Sequence, residues 1–472
     1  MASKSKILAE LFEADGDIIA SALDNVVVSP TAVSDKPNTS TGGFSLPNGT
    51  TAQRPSSPDT GESRYNTTNG SLEFYDGSTW IATNLIPTLD SVTGNITAGF
   101  GTGLTLAVSN ATDSIDVVFK EGVTTLATVT GRSVSSGSAT VDVPSAVYGQ
   151  SVGDTISISI ENQDGTPSSN SQTLVIKSLP TGGTITTFGN YRIHTFTSSG
   201  TFGVGNLAVS ADILMLAGGG GGGAGGGAST HSGAGGGAGG MFTSTSQSLT
   251  ASTNYTIAIG SGGAGSSNSA NKGGTGGNTS FTGQTTAVGG GGGGSRGSSV
   301  AGTHPGNNGG SGGGSVPDQG TYAGGLGTSG QGNNGGACNR DLSRAASGGG
   351  GKGSIGATAA DHLGTGESVN GADGGSGATN NYRTGSNVSY AGGGGSGACK
   401  VGGNQGIAGD SGVPANGGSG GDSGNSGQGG GGSANTGQGG GGANSGSLIG
   451  NTTNGGNGGS GICVVRYNAA AL

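Results

Sequence analysis

Four histidines, three cysteines and a sparse set of carboxylates are all that this 472-residue chain has for building chemistry. His194, His231, His304 and His362 are scattered, and no carboxylate clusters beside any of them in sequence. Cys338, Cys399 and Cys463 match no zinc-ligand spacing, and an odd number cannot complete a disulfide framework. Gly348 to Ser354 reads GGGGKGS, where Gly353 separates Lys352 from Ser354 and so breaks the phosphate-loop GK[ST] element. Gly417 to Ser423 echoes a calcium-binding nonapeptide once, but Gly424 stands where a large apolar residue belongs, and one copy cannot make a β-roll. No carboxylate pair stands out for glycosidic acid–base chemistry. With 114 glycines present, GxGxxG and GxSxG matches arise by chance. The chain is therefore expected not to be an enzyme, and to need neither a metal nor a cofactor.

Binding chemistry has better candidates. Within the glycine-rich part the rare larger residues are His304, Asp318, Tyr322, Asn339, Arg340, Tyr382, Arg383 and Tyr390. Tyr, Asn and Arg are adaptable contact residues of binding surfaces. Asn bonds sugar hydroxyls, and aromatic rings stack on sugar faces. These side chains are expected at the turns of an extended scaffold, where the backbone need not satisfy a core.

The scaffold that must carry them is unusual. Residues 1–200 hold 21 of the glycines and residues 201–472 hold 93. Charged residues are 9% and apolar ones 29% of the chain, which is too little of either for an ordinary helical or α/β enzyme. The net charge of −9 disfavours a nucleic-acid-coating role. From 403 to 430 every third residue is glycine except Ala415. Three residues per turn is the period of a polyproline-II-type helix, which has no internal hydrogen bonds, and the stretch holds only Pro414, unlike collagen. Bundled polyglycine-II helices are expected. They would hang from a small β core of Tyr191–Phe196, Ala211–Leu216, Tyr255–Ile259 and Ile462–Tyr467, with the first and last of these strands able to pair.

The earlier residues separate into three zones. In 1–43, Ile7, Leu8, Leu11, Phe12, Ile18, Ile19, Ala22 and Leu23 recur at helical spacing ahead of a Ser/Thr/Pro-rich linker, which suggests a helix for docking or self-association. No secretory signal or membrane span is visible there. Residues 44–84 alternate around Asn69-Gly70 and Asp76-Gly77, so a small β-hairpin module is expected, with Tyr65, Phe74, Tyr75 and Trp80 as its core. Residues 85–180 carry short alternating strands at roughly ten-residue spacing, as in an Ig-like β-sandwich spacer. The expected fold is thus mostly β and multidomain, ending in the 181–472 glycine-rich domain.

Leu46 to Pro55, Gly61 to Thr67 and Leu72 to Trp80 together resemble a small module recurrent in bacteriophage fibre and structural proteins. His194 to Phe202, Ala211 to Ala217 running into polyglycine, and Gly459 to Tyr467 resemble glycine-rich phage tail proteins, some of which carry receptor-binding loops on polyglycine-II bundles. The resemblance implies a virion adhesin, made in a bacterial cytoplasm and usually trimeric along its shaft. It would join other virion structural proteins through the N-terminus and bind a bacterial surface receptor, a glycan or an outer-membrane protein. Nucleic acid and membrane insertion are not expected. The rivals are a structural head or neck decoration fibre and, from another class, an ice-binding polyglycine-II protein.

Overall fold

The computed structural model describes residues 46–68, 70–83, 86–163, 165–226, 231–296, 304–317, 321–338, 345–359, 369–399, 418–421, 427–445 and 452–469. The helix expected over 1–43, with Ile7, Leu8, Leu11, Phe12, Ile18, Ile19 and Leu23, lies outside the described residues. The chain divides into two units at residues 84 and 85.

In the first unit, β1 (Asn48–Gly49), β2 (Ser63–Asn66), β3 (Ser71–Tyr75) and β4 (Trp80–Thr83) form one sheet in sequence order. Its core is not the expected aromatic one. Strand parity sets Arg64 opposite Glu73 on one face and Tyr65 opposite Leu72 on the other. The charged face is the buried one, because the preceding residues 47–54 fold across it. Glu73 is fully buried between Arg54 (2.8 Å) and Arg64 (3.3 Å) and also accepts from Asn66 (2.9 Å). Tyr65 and Leu72 are left exposed, while Phe74, Tyr75 and Trp80 are half-buried.

In the second unit, β5 (Thr88–Thr93), β6 (Gly103–Ser109) and β9 (Ser138–Asp142) form one sheet. The facing sheet holds β7 (Ser114–Glu121), β8 (Thr124–Ser133), β10 (Thr155–Asn162) and β11 (Gln172–Val175). Alternate residues of both sheets, Leu104 and Leu106, Ile115 and Val117, Ile156 and Ile158 among them, meet in one core. A four-residue helix, α1 (Ser145–Tyr148), contributes Val147 to it.

Beyond it come β12 (Thr184–Phe188), β13 (Tyr191–Phe196), β14 (Gly200–Gly203), β15 (Val209–Leu216), β16 (Gly225–Gly226), β17 (Met241–Leu249), β18 (Asn254–Ala258), β19 (Ser280–Phe281), β20 (Ala378–Asn380), β21 (Val388–Tyr390), β22 (Thr452–Thr453) and β23 (Ile462–Asn468). The first and last expected strands do pair: the main sheet runs β12-β13-β23-β15-β17. The Tyr255 strand, β18, joins a separate sheet with β14 and β19. One face of the main sheet packs Ile213, Met215 and Val465 on Phe202, Ile257 and Phe281. The other face packs Leu214, Leu216, Ile462 and Val464 under Tyr390 and Val388 of the β20–β21 hairpin.

From this sheet the glycine segments extend as a close-packed bundle. In 218–223 the N–H groups bond, in turn, Gly277, Gly459, Gly237, Gly274, Gly456 and Ala234, at 2.8–3.0 Å. The partner therefore changes at each residue and recurs after three, as a chain with three residues per turn requires. The carbonyls of the same six residues accept from Gly290, Gly263, Gly440, Gly293, Ser266 and Ala443. Six neighbouring segments thus surround this one, and adjacent neighbours are also bonded to one another, for example Gly274 to Ala264, Gly458 to Gly263 and Gly459 to Gln438. Segment 233–239 has the same environment. Only hydrogen fits at the contacts: a Cβ on Gly219 would lie 1.9 Å from the Gln438 carbonyl oxygen. Within the stretch that showed the three-residue period, residues 401–417 and 422–426 lie outside the described set. Gly418 and Gly421 donate to Gly439 and Gly442, three residues apart along a single neighbour.

Candidate functional site

Segments that start from the sheet at Leu216, or beside it at Val288, which accepts from Gly240, have their other ends at the opposite end of the bundle. There β16 pairs with β22, Tyr322 bridges Cys338, and Val369 bridges Cys399. His304 is buried at this end, its ring stacked on that of Tyr322 at 5.1 Å and 24°. Its carbonyl accepts from Val316, and the Ser315 hydroxyl donates to the Tyr322 carbonyl at 3.0 Å. Arg296 contacts the His231 ring close by in the chain path. A small apolar plug of Ala234, Val316 and Ala346 replaces glycine here. The structure thus brings His304 and Tyr322 together. Asp318, Asn339 and Arg340 lie outside the described residues.

Tyr382, Arg383 and Tyr390 belong elsewhere, on the hairpin that covers the sheet. Tyr390 is fully buried against Leu214 and Val464, so its ring is a packing element with no surface for a ligand. Tyr382 is half-buried at the rim, its ring centroid 4.0 Å from the Arg466 guanidinium. Tyr191 lies 4.7 Å from the same guanidinium, so Arg466 contacts two tyrosine rings. Arg466 Nε donates to Asp212 Oδ2 at 3.0 Å, and Nη1 donates to Asn381 Oδ1 at 3.3 Å. Burial pushes the Tyr382 phenol up, and the Asp212 charge adds to that while Arg466 opposes it.

Three of these residues, Tyr191, Asp212 and Arg466, were not singled out from the sequence. The signal was present. In β15 and β23, Asp212 and Arg466 share the strand parity of Leu214, Leu216, Val464 and Ile462, and a charge on an apolar face marks where its cover ends. Elsewhere the chemistry is muted. Among the described residues no group of three or more His, Cys, Asp or Glu could hold a metal ion. Burial pushes the Cys338 and Cys463 thiols up, away from the reactive thiolate. No helix among the described residues is long and apolar enough to cross a membrane.

A small antiparallel sheet that roots a bundle of extended glycine segments, with only small side chains between most of them, defines a class of glycine-rich β protein. The chain belongs to the glycine-rich domain family, whose model matches residues 195–468, from the end of β13 to the end of β23. No curated protein matches the chain.

Proposed function

We propose that the chain is a bacteriophage virion fibre or tail adhesin whose glycine-rich domain binds a receptor on the host surface. Residues 1–43 attach to other virion proteins, 44–84 and an Ig-like sandwich over 85–180 act as spacers, and a polyglycine-II-type bundle presents the binding end. The observation that carries this reading is the six-neighbour environment of residues 218–223. A bundle whose interior is mostly backbone, with small side chains such as Ala238, Ser311 and Ser347 between its segments, asks little of its turn sequences for a core. The end bearing His304 and Tyr322 gathers segments that are far apart in the chain, and several copies on one particle would turn weak contacts into firm capture. The exposed third positions Ala264, Thr275 and Asn457 lie on three segments wrapped round 218–223, a convex surface unlike the flat face that ice binding needs.

Antibody against the glycine-rich domain, applied to phage particles that carry this chain, should decorate the tail and block adsorption to host cells. Decoration of the head or neck with unchanged adsorption would instead support a structural decoration fibre. Particles that take no label would overturn the virion assignment.

A further inference from the structure

The main sheet offers a second site, at the end of its strands away from the bundle. Where the β20–β21 hairpin stops covering the sheet, a cleft of about 490 Å³ opens over Ser210, Asp212, Arg466 and Asn468, with Tyr191 and Ser246 on its margin. That volume lies within the roughly 300–1,000 Å³ of small-molecule sites. The floor is held in place from three directions. Asp212 sits in a β-bulge between Ala211 and Ile213, and its Oδ1 accepts the N–H of Ser246 at 3.1 Å. Ser246 is held at φ 52°, a conformation that non-glycine residues adopt only when their surroundings impose it. Arg466 is fixed by Asp212, by Asn381 and by the two tyrosine rings. Bulges and strained residues concentrate next to binding sites, where they re-aim side chains.

We infer that this cleft binds a neutral saccharide. The ion pair cancels its own charge, so the floor offers neither an anion nor a cation a net counter-charge. What remains is a mixed set of donors and acceptors on Asp212, Ser210, Ser246 and Asn468, which suits the adjacent hydroxyls of a sugar. Beside them Tyr191, 37% exposed, lines the cleft with an aromatic ring of the kind that stacks on a sugar's C–H face. The cleft lies at the beginning of β15 and the end of β23, whereas the bundle leaves from Leu216 and Ile462, so the inference stands apart from the receptor-binding reading.

The test is saturation-transfer NMR on the full chain with D-glucose, D-galactose and N-acetyl-D-glucosamine, and N-acetylneuraminic acid as an anionic probe. At least one neutral sugar should receive saturation, and Tyr191→Ala should weaken its binding at least fivefold, while Tyr191→Phe stays within twofold. Asn468→Ala should also weaken it at least threefold, which guards against Tyr191→Ala acting through the fold. Binding of the anionic sugar alone, absence of any signal, or indifference to both alanine variants would overturn the inference. Adsorption blocking by the domain antibody would be untouched by any of these results, so the two readings fail separately.

Discussion

Replacing Gly222 by alanine tests the bundle at a crowded interior place. The new Cβ would lie 1.9 Å from the Gly441 carbonyl oxygen and 2.5 Å from its carbon. Side-chain carbons essentially never approach closer than 3.0 Å, so segment 437–443 must recede by about an ångström or more. The two bonds that join it to 218–223, Gly440 to Gly220 at 2.9 Å and Ala443 to Gly223 at 3.0 Å, then stretch past bonding distance. Two buried backbone bonds, each contributing about 1 kcal/mol net and more if its groups stay dry and unpaired, put the loss at roughly 2–5 kcal/mol. The lower chain entropy of alanine in the unfolded state returns about 0.4–1 kcal/mol. The net expectation is a destabilisation of about 2–4 kcal/mol, or a melting temperature lower by roughly 2–5 °C in a unit as long as 85–472. Gly431 is the internal control. Its added Cβ would meet only the Asn457 carbonyl oxygen, at 3.7 Å, so Gly431→Ala should be neutral or slightly stabilising. Scanning calorimetry on the two variants decides the matter. If both melt within about 1 °C of the parent, the close-packed backbone arrangement is wrong.

Two further perturbations address buried charge. Burial alone would raise the Glu73 carboxyl, but hydrogen bonds from Arg54 and Asn66 and the charges of Arg54 and Arg64 outweigh it and hold it below 4.5. The contribution is therefore complete above about pH 4.5 and is lost as the pH falls through the depressed value. Glu73→Gln should destabilise the first unit by roughly 2–4 kcal/mol, because it strands two guanidinium groups. The fluorescence of Trp80, the chain's single tryptophan, reports this unit alone, and an unchanged urea midpoint would refute the account. In the second unit, burial pushes His194 down to about 4; the Gly182 carbonyl opposes this and the Arg192 charge reinforces it. A base that is harder to protonate when folded contributes fully above about pH 6.5 and progressively less down to pH 4, a swing of about 3 kcal/mol. His194→Phe should flatten the melting temperature between pH 6.5 and 4, as followed by circular dichroism, and a slope equal to the parent's would count against the assignment.

Much of the sheet was legible because the apolar strands are few. Tyr191–Phe196, Ala211–Leu216 and Ile462–Tyr467 stand out from glycine, and the only economical arrangement pairs the chain's two approaches to the bundle. The inverted module over 44–84 was not legible, since alternation in Ser63–Asn66 and Ser71–Tyr75 shows two faces without saying which is covered. The covering came from residues 47–54, whose contribution is Arg54 and backbone carbonyls. The place of Tyr390 in the sheet core was not legible for a related reason. A large apolar residue abutting a glycine run, as in Leu216, Val288 and Tyr390, marks the root of a segment at the sheet, whereas the far end carries His304 and Tyr322. One glycine in three, as over 403–430, is the weaker form of the three-residue period. The clearer form is two in three, as in Gly455-Gly456-Asn457-Gly458-Gly459-Ser460, where Asn457 is exposed. Segments at the bundle surface spend two positions on neighbours and one on solvent. Interior ones such as 218–223 and 233–239 have neighbours on all sides and hold nothing larger than glycine or alanine.

That distinction also explains why the bundle needs the sheet. Fixing a glycine costs more backbone entropy than fixing any other residue, and a net hydrogen bond offsets roughly that cost or less. Close backbone contact adds dispersion but no hydrophobic burial from side chains. An isolated segment such as 218–223 therefore has little reason to stay extended. It is held because Leu214 and Leu216 enter the sheet core just before it, and because Ile462 and Val464 follow its neighbour 455–461 into the same core. The apolar clusters on the two sheet faces fix the ends of the central segments, and the others assemble on them by bonds that none of them can make alone. Order in the bundle thus follows from order in the sheet, while the far end, remote from both cores, is free to differ in sequence without disturbing either.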